Sequence, residues 1–219
     1  MAIVNTTKAP NLVVSENDYN IQNESQFRNQ LRLYFNTVDT LSREILINNG
    51  GSNFSLPHIA ATHNDDQYAD GDNTPTLVLW DTDDSSSGFT LNANSTATAQ
   101  YTGIYKIDYS LQFANTANAS HDVRVWLQVD GVDVPRSSSI FTLSARKSEG
   151  VYDYRLGYSS IVFSVEAGQS FGLWWATDQR YESGVQDGIF MYHEDAITSP
   201  YTAPANPSAL GSITFVSRN

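Results

Sequence analysis

GIYKIDYSLQF, residues 103–113, alternates apolar and polar side chains without a break. Tyr105, Ile107, Tyr109, Leu111 and Phe113 fall on one side of an extended chain, and Lys106, Asp108, Ser110 and Gln112 on the other. A period of two over this length predicts a strand with one buried face. Downstream, Val123, Val125, Leu127 and Val129 repeat the pattern, and Asp130-Gly131 supplies a hairpin turn into Val132 and Val134. Ile161, Phe163 and Val165 run into Glu166-Ala167-Gly168, read as a second hairpin turn, with Phe171, Leu173 and Trp175 beyond it. Shorter strands are expected at 57–62, 76–81, 88–91, 95–101, 151–158, 187–193 and 210–216. Many short antiparallel strands with Gly and Asn/Asp turns indicate a mainly β fold, a sandwich or jelly roll.

Composition agrees with that reading. The 219 residues include 12 Tyr, 10 Phe and 4 Trp, and only 16% are charged. Aromatic and β-branched residues suit pleated, half-buried surfaces. A formal charge of −12 leaves no basic stripe for nucleic acid and disfavours anionic membrane surfaces. The chain contains no cysteine, which removes disulfides, thiolate metal sites and cysteine nucleophiles. Its first residues show no cationic segment leading into an apolar one, and no apolar run reaches the length of a membrane span. The expectation is a soluble protein synthesised in a cytoplasm.

Ahead of the β region the pattern changes. Phe27, Leu31, Tyr34, Val38, Leu41 and Ile45 recur at alternating intervals of four and three, a helical period near that of a coiled coil. A helix is expected over 24–47, capped by Asn23 or Ser25 and ended by Gly50-Gly51. Two readings stay open: a self-associating connector, or an ordinary amphipathic helix packed on its own domain. Residues 1–23 carry two apolar patches, Ala2-Ile3-Val4 and Leu12-Val13-Val14, separated by Pro10. They read either as a mobile tail or as an arm ordered by strand addition to a partner. The division expected is an anchoring arm (1–23), a helical connector (24–49) and a β-domain (50–219).

Two stretches carry resemblances. GIYKIDYSLQF (103–113), SSIVFSVEAGQSFGLWW (159–175) and SALGSITFV (208–216) resemble the C1q/TNF-like jelly roll across about residues 56–219. Gln169 stands where that family commonly has Asp, and the last strand lacks its F-x-G. APNLVVSENDYNIQNESQFRNQLRLYFNTVD (9–39) is similar to the opening of structural proteins of tailed phages, notably marine phages and cyanophages. Together these imply a homotrimeric virion protein: an arm bound to other capsid or tail proteins, a helical connector and a jelly-roll head.

Signals for chemistry are sparse. His58, His63, His121 and His193 stand in no G-x-S-x-G or HExxH context and read as surface or strand-end residues. Asp65, Asp66, Asp70 and Asp72, with a second group at Asp81, Asp83 and Asp84, read as solvated acidic loops or as a calcium site, since calcium takes six to eight oxygens. The spacing is not that of an EF-hand. Trp126 and Trp174 fall on the polar sides of their strands, where they serve a subunit contact or stack on sugar. The expectation is a non-enzymatic decoration, cement or fibre component without a resident cofactor, located in the virion. The alternatives are a host glycan- or receptor-binding head and a polysaccharide hydrolase.

Overall fold

In the computed structural model the described residues are 21–47 and 56–217. Strand β6 (Gly103–Asn115) runs through the middle of one sheet. Tyr105, Ile107, Tyr109, Leu111 and Phe113 are sealed in the interior, and the residues between them are half-buried on the other face. On one side β6 pairs along its whole length with β10 (Asp153–Val165), and on the other with β13 (Ala209–Ser217). β13 pairs in turn with β1 (His58–His63), and β1 with the edge strand β3 (Thr82–Ser87). The short β12 (Ile189–Met191) takes the end of β6 that β13 does not reach.

The second sheet runs in the order β4 (Phe89–Leu91), β5 (Ala97–Ala99), β11 (Ser170–Thr177), β7 (His121–Val129) and β8 (Val132–Asp133). To it are added β2 (Thr76–Leu77) on β11 and β9 (Ser139–Leu143) on β7. All ladders are antiparallel, and the two sheets form a jelly-roll sandwich. Trp80, Trp175, Phe171, Leu127 and Leu173 fill the space between the sheets with the inner residues of β6. Each such side chain contributes about 1.5–3 kcal/mol through burial.

Several strands depart from the pattern read in the sequence. The turn after Val165 is not a hairpin turn. β10 pairs with β6 in one sheet and β11 with β7 in the other, so residues 166–169 cross between the layers. Val165 and Phe171 are both buried at its ends. Gln169 secures the crossing: its side-chain carbonyl accepts from Glu166 N at 2.7 Å, and its Nε2 donates to Asp130 Oδ2 at 3.0 Å. The segments expected separately at 151–158 and 161–165 are one strand, β10, continuous through Gly157. A Cβ there would lie 2.7 Å from the Phe113 ring. The turn at Asp130-Gly131 is a hairpin as read, with positive φ at both residues (48° and 76°).

β3, TDDSSS, and β9 have no counterpart in the sequence reading. β3 contains no apolar residue, and its polar character suits an edge strand that must not recruit other chains. Asp83 and Asp84 therefore belong to a strand and not to a loop.

The chain divides into two compact units, Met1–Ser55 and Leu56–Asn219. In the first, α1 spans Ile21–Ile47. It begins before both expected caps, so Asn23 and Ser25 lie within its first turns. Phe27, Leu31, Tyr34 and Val38 are half-buried, whereas Leu33 and Phe35 off that stripe are exposed. Of Leu41 and Ile45 only the backbone belongs to the described part. Ile3, Val4, Leu12, Val13, Val14 and Gly50-Gly51 lie outside the described residues.

Candidate functional site

The outward face of the β10–β6–β13 sheet is the more unusual surface. On β10 the residues pointing away from the core are Tyr154, Leu156, Tyr158, Ser160, Val162 and Ser164, all exposed. Alternation normally places polar residues here. Tyr154 (53%), Leu156 (55%), Tyr158 (59%) and Val162 (61%) instead form an exposed apolar stripe, and Leu210 joins it in register through Ser110. Along the outward faces of β6, β10 and β13 the charged residues are Lys106 and Asp108, paired at 2.8 Å. Burial alone would raise the Asp108 carboxyl, but hydrogen bonds from Lys106 and from the Ser160 and Tyr158 hydroxyls outweigh it and hold the group below its usual range. The face is thus locally neutral in a chain of charge −12.

An aromatic cluster continues the stripe at one end. Tyr154 packs on Tyr192 with ring centres 5.0 Å apart, Tyr192 on Phe190, and Phe190 on Tyr68 and Tyr181. Burial, reinforced by the Asp66 carboxylate, pushes the Tyr68 phenol up to about 12. Burial and the neighbouring Tyr154 do the same to Tyr192.

The opposite face carries Trp126 and Trp174, which lie directly across from each other on β7 and β11. Both are half-buried. Trp126 Nε1 donates to Asp133 Oδ1 at 2.8 Å, and Gln128 Nε2 donates to the same oxygen. Beside Trp174 a shallow depression is bounded by Asn92, Asn94, Gln128 and Asp130. The two Trp residues and the apolar stripe therefore sit on different faces of the sandwich, a separation that periodicity within single strands does not reveal. No sequence pattern marks the Tyr cluster, because its members come from four distant segments.

The four carboxylates at 65–72 do not converge as a ligand set. Asp66 Oδ1 accepts from His193 N at 2.7 Å, and its Oδ2 accepts from the Tyr68 hydroxyl. Asp72 Oδ1 accepts from Arg180 N and from Gln186 Nε2. Of the four, Asp65 belongs to the one group with ligand spacing among the described residues, His63, Asp65 and Asp81. The remaining histidines are held separately. His58 lies between Leu56 O and Ser85 Oγ, His121 beside Asp178 and His193 beside Asp195. Among the described residues no hydrogen-bonded chain links a serine, a histidine and a carboxylate.

No protein-family model and no curated protein matches the chain. Among solved structures, that of Eiger TNF from S. frugiperda is similar, with 12% identity and a TM-score of 0.45, covering 74% of this chain and 96% of that one.

Proposed function

We propose that the chain is a non-enzymatic structural protein of a phage virion, a homotrimer anchored to capsid or tail proteins by residues 1–23 and displaying the jelly-roll head. The observation that carries the self-association is the exposed stripe Tyr154, Leu156, Tyr158 and Val162. A chain of charge −12 repels its own copies, and it associates most readily where a face is both apolar and locally neutral. The β10–β6–β13 face meets both conditions. The similarity of residues 9–39 to tailed-phage structural proteins supports the virion setting. Three arms carried on one trimer gain attachment through effective concentration.

Sedimentation of the full chain should give a trimer, and a strict monomer at tens of micromolar overturns the reading. Removing residues 1–23 should abolish attachment to particles while leaving the trimer intact. Imaging of the particle then distinguishes capsid decoration from a fibre.

A second reading, a head that binds a host surface glycan, is favoured by the depression beside Trp174. An aromatic face next to amide and carboxylate side chains suits a sugar ring. Staining of host cells by the isolated protein, lost in Trp174→Ala, would support it.

A further inference from the structure

We propose that His63, Asp65 and Asp81 form a binding site for a divalent transition-metal ion of the zinc class. His63 is the last residue of β1, Asp65 follows two residues later, and Asp81 immediately precedes β3. The backbone brings them together: Asp81 N donates to Thr62 O at 3.2 Å, and Ser208 N donates to His63 O at 3.0 Å. One ligand atom from each lies within 4.8 Å of the others.

His63 is the telling member. The residue is only 7% exposed, and its Nδ1 is sealed from solvent with no hydrogen-bond partner. Asp81 Oδ2 lies 3.0 Å away, but not where the ring N–H would point in a hydrogen bond. An orphaned buried nitrogen is costly, so it calls for an explanation. A shared cation supplies one. Two ligands about 2.1 Å from a tetrahedral zinc stand about 3.4 Å apart, so this pair at 3.0 Å would open by about 0.4 Å to share the ion. The third ligand is free to close on the ion, because Asp65 is exposed and its carboxylate has no hydrogen-bond partner among the described residues. Asp81 is already oriented: Thr82 Oγ1 donates to its Oδ1 at 2.9 Å, leaving Oδ2 toward His63. Outer donors of this kind fix the ligands of metal sites.

Ligand chemistry selects the ion. One imidazole with two carboxylates suits zinc and its neighbours, whereas calcium prefers an all-oxygen shell of higher number. Three protein ligands leave one tetrahedral position for water. The ion would also have a structural effect. β3 is a wholly polar edge strand whose ladder to β1 is interrupted by a bulge between Ala60 and Ala61. A metal held by Asp81, the residue just before it, would pin that strand to the sheet.

The test is calorimetric titration of the full chain with zinc chloride, repeated with calcium chloride, on the wild type and on Asp65→Asn and Asp81→Asn. Both substitutions are at exposed positions, and circular dichroism would verify folding. One zinc per chain is expected, with a raised melting temperature and slower amide exchange over 82–87. Removal of an outer-shell partner alone costs about 10–100-fold in affinity, so each ligand variant should lose at least that much. Absence of zinc binding, binding unchanged in both variants, or displacement of zinc by equimolar calcium would each overturn the proposal.

Discussion

The two outer faces of the sandwich cover the same core and are built by the same alternation, yet they differ in chemistry. Beyond β10 and β6 the outward residues include Tyr154, Leu156, Tyr158 and Val162, with one internally neutralised ion pair. Beyond β7 and β11 they include Asp122, Arg124, Trp126, Gln128 and Trp174, and the first Trp is tied to Asp133. Inner faces are set by the need to exclude water, so they look alike. Outer faces carry no such demand, so a stripe that departs from polar alternation marks a surface under another constraint.

The sharpest way to break this comparison is to place charge on each face in turn. Tyr158→Asp with Val162→Asp sets two carboxylates in the apolar stripe without touching the core. If copies meet there, each interface must bury unpaired charge, and sedimentation should shift fully from trimer to monomer with an unchanged far-UV spectrum. Trp174→Asp, on the other face, should leave the oligomeric state unchanged. A reversed pattern would move the contact to the Trp face.

A smaller effect is expected where the stripe meets the core. Gly157 lies between Leu156 and Tyr158, and a Cβ there would meet the Phe113 ring at 2.7 Å and the Phe141 ring at 3.4 Å. Gly157→Val should cost about 1–3 kcal/mol in chemical denaturation through overpacking. A neutral result would mean that β10 can lift away from the core and that its outward register is loosely held.

Which face carries which chemistry was only partly legible in the sequence. Strong alternation made β6 and β7 plain, because their inner residues are all large and apolar. β3 was invisible because a polar edge strand is held by backbone pairing alone, which leaves no hydrophobic period. The connection after Val165 looked like a hairpin since a short turn between two apolar strands reads the same whether it joins partners or crosses between layers. For the site, Asp65 and Asp81 were visible as acidic residues and Asp65 lies two residues from His63, but the approach of Asp81 to His63 depends on the pairing of β1 with β3, over a separation that no local spacing encodes. The same holds for the tyrosine cluster, assembled from residues 68, 152–154, 181 and 190–192.

The next effect in size belongs to the Trp face. Asp133 Oδ1 accepts from both Trp126 Nε1 and Gln128 Nε2 at 2.8 Å, so Asp133→Ala removes two hydrogen bonds from an exposed turn. Because all three groups can turn to water, the loss should be modest, about 1 kcal/mol in denaturant unfolding. A loss of several kcal/mol would mean that the Trp face is structurally as constrained as the stripe.

The smallest effect at neutral pH concerns the aromatic end of the stripe. The Tyr68 and Tyr192 phenols are pushed up to about 12, chiefly by burial, while an unfolded tyrosine ionises near 10. Between those values the folded state holds protons that the unfolded state has released, so stability must fall as pH rises from about 10 to 12. Below 10 both states are protonated and the contribution is constant. Ultraviolet titration of phenolate should therefore show two tyrosines ionising about two units late, and Phe190→Ala, which removes a ring packed against both, should bring them earlier. Burial of this end in an assembled trimer would delay them further. If dissociation by Tyr158→Asp with Val162→Asp leaves the titration curve unmoved, the aromatic cluster lies outside the contact, and the interface is confined to the middle of β10.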